Sequence, residues 1–277
     1  MSVNDRLSAL AELAEAEVMF QFESGAPEDV RSALGMAQTR IGGGVALSMR
    51  HDPAGGYWNK ALGFGFGEPV TAKTIAEVCD FYREQGRQQA TIQIAPSRLP
   101  DDWDEICAAQ GITPGSYWVQ LTREVTDFPT VETTLRITEV DTSQAAQWAS
   151  VLMRGFGMPE EGLAEMMAAT VAHPDFRAYA AWDGDEMVAA ANLFVHGEAG
   201  GISGASTLPT HRGRGAQSAL LAARARGAAE AGCRWLTAQT GRPAEGDHNA
   251  SLENMRRLGF QINYDRRNWV WQADVLA

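Results

Sequence analysis

Cysteine is scarce in this chain: Cys79, Cys107 and Cys233 are the only three in 277 residues, and they lie far apart. No pair has the spacing of a metal or redox motif, so a disulfide framework and a zinc ribbon are excluded and the three read as reduced core residues. Long apolar runs are also missing. No stretch approaches the roughly 20 residues that a membrane span needs, and the N-terminus has no basic segment followed by an uninterrupted apolar run. Residence in the cytoplasm with no membrane partner is the expectation. Basic residues are outnumbered, 23 Lys and Arg against 35 Asp and Glu, for a net charge of −12. That balance excludes a broad nucleic-acid surface and suits a cationic small molecule. His51, His173, His196 and His248 show no metal-ligand spacing, so no metal is expected.

The chain does have length and apolar content. At 277 residues with 45% hydrophobic composition, it supports one or two domains with a sizeable core and excludes wholesale disorder. One stretch stands apart from the acidic background, Thr207-Leu208-Pro209-Thr210-His211-Arg212-Gly213-Arg214-Gly215-Ala216-Gln217-Ser218. A strand-like run breaks at Pro209 and a helix begins past a basic, glycine-bearing turn. The first amides of a helix lack intrahelical partners and the macrodipole adds partial positive charge, so such a turn attracts phosphate. Gly213 and Gly215 permit positive φ and close approach of a ligand, and Arg212 and Arg214 offer forked donors. His211 flanks the loop. The turn lacks the Gly-Lys-Ser/Thr ending of a nucleotide P-loop.

This loop resembles the pyrophosphate loop of the GNAT superfamily of acyl-CoA N-acyltransferases, which reads Arg/Gln-x-x-Gly-x-Gly/Ala. Arg212, Gly215 and the preceding Pro209 match; the last small position is Gln217 here. The element order agrees. Residues 135–140 read as a strand, 143–154 and 161–172 as helices, and 178–182, 187–196 and 201–208 as strands. Helix 216–231, strand 234–240, a short helix ending near Leu258 and closing strands 260–271 follow. The resemblance implies acetyl-CoA as co-substrate, with Ser206, Thr207, Leu208, Arg212, Gly213, Arg214, Gly215, Ala216, Gln217, Ser218 and Asn254 as its binding residues. Gly201 and Gly204 permit a bulge that splays the strand before the loop.

The first half carries an echo of this order. Helix 71–85, Gly86, strand 90–95, helix 101–110, Gly111 and strand 117–122 follow upstream strands 44–50 and 58–66. The fold class expected is α/β (α+β), with two GNAT-like domains, each a mixed, mostly antiparallel sheet flanked by helices. Residues 1–125 form a degenerate first domain, 126–134 a linker and 135–277 the acyl-CoA-binding domain. Where the phosphate loop would stand, the first half has Gly67-Glu68-Pro69-Val70-Thr71, acidic and without arginine. Its role is then to cover or shape the substrate cleft of the second. The opening segment 4–22 has helical apolar spacing, with Glu12, Glu15 and Glu17 on its polar face.

The resemblance implies direct acyl transfer from the thioester to an amine. Many relatives place a tyrosine, the acid for the departing thiolate, where this chain has Met255. A thioether donates no proton. The substitutes nearest in sequence are Ser251, Tyr264 and His248. A base is equally open: the following strand offers Gln239 and Thr240, and Glu160 and Glu161 stand between the two helices that border the acceptor site in the family. The expected function is acetylation of a small-molecule amine by a monomer or homodimer. Alternatives are a peptide or protein N-acetyltransferase and a non-catalytic acyl-CoA-binding module.

Overall fold

The computed structural model describes the backbone of residues 3–273 and the side chains of residues 5–273. The first half runs α1 (Val3–Ser24), α2 (Glu28–Leu34), β1 (Met36–Ile41), β2 (Gly44–Met49), β3 (Lys60–Leu62), α3 (Ala72–Glu84), β4 (Gln89–Gln93), α4 (Trp103–Gln110) and β5 (Ile112–Glu124). The second runs β6 (Arg136–Glu139), α5 (Ala145–Phe156), α6 (Leu163–Ala169), β7 (Phe176–Asp183), β8 (Glu186–His196), β9 (Ala199–Gly201), β10 (Ala205–Thr207), α7 (Ala216–Glu230), β11 (Trp235–Gly241), α8 (Ala250–Arg257) and β12 (Gln261–Gln272). The sequence missed α2 and β1, which are short and lack a full period of either pattern.

All twelve strands form one sheet, ordered β1-β2-β3-β4-β12-β5-β11-β9-β8-β7-β6, with β10 paired to β8. Two sheets were expected, and they are joined because the long closing strands are exchanged. Strand β5, from the first half, pairs with β11 of the second, and β12 pairs with both β5 and β4. Alternation along a strand sets which side chains face which layer, but it does not choose the neighbouring strand. Parallel pairing occurs between β3 and β4 and between β9 and β11; the other strand pairs are antiparallel. In the first half β3 and β4 flank α3, and in the second β9 and β11 flank β10 and α7, so each half has one parallel crossover around a helix.

The helices cover both faces. In α3 the buried positions Ile75, Val78, Cys79 and Tyr82 recur at the spacing of one helical stripe, and Gly111 closes α4 in the left-handed conformation. Helices α3 and α4 pack with one core cluster, α7 and α8 with a second, and α1, α2, α5 and α6 share a third that spans both halves. All three cysteines are buried and free, and burial pushes the Cys79 thiol up to about 12.

Helix α1 corrects the sequence reading. Glu12 and Glu15 do not form a solvated face: they are 0% and 6% exposed and meet Arg266 of β12, which donates Nη1 to Glu12 Oε2 at 2.7 Å and Nη2 to Glu15 Oε1 at 2.8 Å. The helix therefore lies over the centre of the shared sheet, where the exchanged strand supplies its counter-charge. Burial opposes the charge on Arg266, but the two carboxylates more than offset it and hold its pKa raised. No helix among the described residues is long and apolar enough to cross a membrane.

Candidate active site

The strand before the loop, expected over 201–208, is broken. Strand β9 pairs with β11 from Ala199 to Gly201, after which Gly204 takes φ +66 and β10 pairs only with β8. Strand β11 continues toward Gly241 held by β5 alone. A gap opens between β10 and β11. The carbonyls freed at the break are taken by Arg224 of α7, whose Nη1 donates to Asn192 O at 3.2 Å and Ile202 O at 3.3 Å. Arg224 is 1% exposed, and burial among neutral partners pulls its pKa down. Gly155 lets α5 approach this break, since a Cβ there would collide with the Ser206 hydroxyl.

A cavity of about 860 Å³ runs through the gap. On one side stands the turn into α7. Gly213 and Gly215 have φ +77 and +79, and Gly215 is the N-cap, with no side chain to occupy the helix end. The first intrahelical bond into this end is Ala219 N to Gly215 O at 3.0 Å, so the amides of Ala216, Gln217 and Ser218 remain for a ligand. A Cβ on Gly215 would stand 3.3 Å from Glu132 O in a backbone conformation that L side chains rarely adopt. This cradle fits a pyrophosphate.

Of the binding residues predicted from sequence, Ser206, Thr207, Arg212, Gly213, Gly215, Ala216, Gln217, Ser218 and Asn254 line the cavity. Several are engaged already. Ser206 Oγ donates to Leu152 O at 2.9 Å, and Arg212 folds back to Gly155 O at 3.0 Å and Thr207 O at 3.3 Å. Gln217 explains its departure from the small-residue pattern: its Nε2 donates to Ser251 Oγ at 2.8 Å and its Oε1 accepts from Asn254 Nδ2 at 2.6 Å, tying α7 to α8. Leu208 lies in the core shared with α1 and α5. Arg214 forms a two-pronged ion pair with Asp183, which holds that carboxyl below its usual range. Neither Leu208 nor Arg214 lines the cavity.

The catalytic candidates separate as sharply. Ser251 and Met255 line the cavity, as do Gln239 and Thr240. Tyr264 does not; its hydroxyl donates to Glu12 Oε1 at 2.8 Å, and burial together with the Glu12 charge raises its pKa. Glu160 and Glu161 are exposed ahead of α6, and His248 is exposed and pairs with Glu253 at 2.8 Å. These three are outside the lining as well.

The other side of the cavity holds residues that the sequence reading missed. Glu15, Met19 and Phe22 come from α1, Tyr57, Trp58 and Lys60 from the start of β3 and its loop, and Trp118 from β5. Lys60 Nζ sits 3.4 Å from the Tyr57 ring centroid and 5.2 Å from that of Trp118. At 7% exposure, it makes no ion pair with a described carboxylate. Cation–π contact contributes about 2 kcal/mol when desolvated, less than the several kcal/mol that removing an ammonium from water costs. The only sequence signal was Lys60 itself, a charged residue inside a strand-like run. Among the described residues no group of three or more His, Cys, Asp or Glu is placed to hold a metal.

Residues 145–260 match the acetyltransferase (GNAT) family. Solved structures share the fold over most of the chain. A GCN5-related N-acetyltransferase from Kribbella flavida aligns over 100% of this chain and 98% of its own at 16% identity, TM-score 0.64. One from Sphaerobacter thermophilus aligns over 86% and 75% at 13% identity, TM-score 0.59. A tandem GNAT protein from the clavulanic acid biosynthesis pathway aligns over 97% and 94% at 16% identity, TM-score 0.57. No curated protein matches the chain by sequence. The loop, the splayed strand pair and the open helix start all lie within the matched segment, so residues 145–260 form a domain that matches the acetyltransferase (GNAT) family.

Proposed function

We propose that the protein is an acetyl-CoA-dependent N-acetyltransferase that transfers the acetyl group directly to the amine of a small molecule. The observation that carries this reading is one cavity with two unlike ends, a phosphate cradle at the start of α7 and an aromatic chamber built by the first half, joined through the gap between β10 and β11. The amides of Ala216, Gln217 and Ser218 would hold the pyrophosphate, with Arg212 nearby and Arg257 at the cavity wall. Acetyl-CoA supplies an activated acyl thioester. The nitrogen–carbon bond forms as the carbon–sulfur bond breaks, giving an amide and a free thiol.

The chain's own residues then have definite tasks. Ser203 Oγ is buried without a partner at the strand break, a donor available to an acyl oxygen. Ser251 Oγ accepts from Gln217, which leaves its own proton for the departing sulfur; a thiol pKa of about 8.5 makes that assistance modest. Glu15 is the carboxylate at the chamber wall and takes the amine proton. Enclosure of the chamber by α1 and the Tyr57–Lys60 segment favours a small acceptor over a protein chain.

A second reading, a non-catalytic acyl-CoA-binding module, draws on Met255 at the position where relatives carry a proton donor. A thiol-release screen of diverse amines with acetyl-CoA, beside a calorimetric CoA titration, separates the two. Turnover with any amine supports the enzyme; CoA binding with no thiol release from any amine supports the module.

A further inference from the structure

Two opposite charges face the aromatic chamber without meeting each other. Glu15 Oε2 accepts from Gln120 Nε2 at 2.6 Å, whereas Lys60 Nζ stands over Trp118. Gln120 and Trp118 are two positions apart on β5, so their side chains share one face of the sheet, roughly 7 Å apart along the strand. Glu15 has one hydrogen bond per oxygen, to Arg266 and Gln120, and retains lone pairs for a ligand. Lys60 has aromatic rings below it and no ion pair with a carboxylate among the described residues.

Other carboxylates do not supply one. Asp52 is occupied by its own loop, accepting from Ala54 N at 2.7 Å and Trp58 N at 2.9 Å. Glu23 is buried with both oxygens unbonded; burial, then the nearby Asp52, raises its pKa well above the carboxylate range. Lys60 acts on Glu23 only as a minor charge, and no hydrogen bond or ion pair joins the two.

Building on the acyl-acceptor reading of this cavity, we propose that the acceptor is an α-amino acid with an apolar side chain, its ammonium seated at Glu15 and its carboxylate at Lys60. A carboxylate fits better than a phosphate, because one ammonium balances one charge and the neighbouring walls are Met19, Phe22, Trp58 and Met167. The same apolar walls take the side chain.

The test is calorimetric titration of the CoA-saturated protein with apolar and aromatic L-α-amino acids, each beside its carboxamide and its decarboxylated amine. The acid binds ~10- to 100-fold more tightly than its carboxamide, the size expected for one charge-assisted hydrogen bond. Lys60→Met removes that margin and leaves CoA affinity at the wild-type value. Equal or tighter binding of the carboxamides or decarboxylated amines to the wild type overturns the proposal, as does failure of every amino acid to bind. So does a preference for a dicarboxylic acyl thioester over acetyl-CoA that depends on Lys60. The wild-type comparison stands alone should Lys60→Met not fold. Binding is read without turnover, so an absence of thiol release would sink the transferase reading while the amino-acid site at Glu15 and Lys60 would still stand or fall on the titration.

Discussion

Arg266 and Glu12 are 254 residues apart in the chain and meet at 2.7 Å beneath α1, both fully buried. The contact joins the first helix to the last strand, and it exists only because β12 crosses into the first half of the sheet. Arg266→Ala would leave Glu12 and Glu15 without their cation. Breaking one side of a buried pair typically costs about 3–5 kcal/mol. Urea unfolding of Arg266→Ala should show a loss of that order. A loss below about 1 kcal/mol would mean that water reaches this site and that the network contributes little.

The proposed CoA cradle gives a second prediction. Gly215 has positive φ, and a Cβ there would press on Glu132 O at 3.3 Å. Gly215→Asp adds strain and a negative charge where a pyrophosphate is expected, so the CoA Kd should rise at least ~10- to 100-fold, the scale of a lost charge-assisted hydrogen bond. Circular dichroism should report an intact fold. Unchanged affinity in a folded variant would remove this turn from the site.

The two halves should differ in ligand number. Helix α3 stands in the first half where α7 stands in the second, but Thr71 caps it, its Oγ1 accepting from Thr74 N at 3.1 Å. Glu68 is exposed just before it. A helix end whose cap already takes the Thr74 amide, beside an acidic residue, disfavours a phosphate. Calorimetry should give one CoA per chain. A stoichiometry of two would show that the first half has a working cradle.

How much of this was legible depends on which interactions are local. The turn at Arg212–Gly215 was readable because a helix start, two glycines and two arginines announce themselves within a few residues. Even there, the side-chain roles were not: Arg214 went to Asp183, 31 residues away, and Gln217 turned to α8. Long-range placement was invisible. Nothing in the alternation of β5 and β12 tells that they exchange halves, and without that exchange Glu12 and Glu15 read only as part of a helix's polar face. Lys60 and Trp118 gained meaning only when the sheet brought β3 and β5 to one chamber. The net charge described the surface and not this interior.

Leaving-group assistance can be assigned by comparing two hydroxyls. Ser251 lines the cavity, while Tyr264 is turned away to Glu12. General acids typically contribute on the order of 10²- to 10⁴-fold. Ser251→Ala should lower kcat toward that range if it protonates the sulfur, with CoA Kd little changed. Tyr264→Phe should cost less than about 10-fold, through the lost bond to Glu12. A large kcat loss in Tyr264→Phe with normal stability would reverse the assignment.

Glu23 predicts a pH dependence of stability. Its carboxyl is buried, bonds nothing in the described structure and has its pKa raised above the ordinary 4.5, by burial first and by Asp52 second. The folded chain therefore keeps a proton that the unfolded chain has released. Where the folded state binds more protons, stability falls as pH rises. The penalty starts near pH 4.5 and grows until the folded pKa is passed. Glu23→Gln preserves shape and carries no charge, so it should match the wild type in Tm near pH 4 and exceed it increasingly toward neutral pH. Thermal unfolding of both proteins from pH 4 to 8 measures the gap. A gap that stays constant across that range would show that Glu23 does not change its protonation on unfolding, and that the carboxylate is ionised inside the fold.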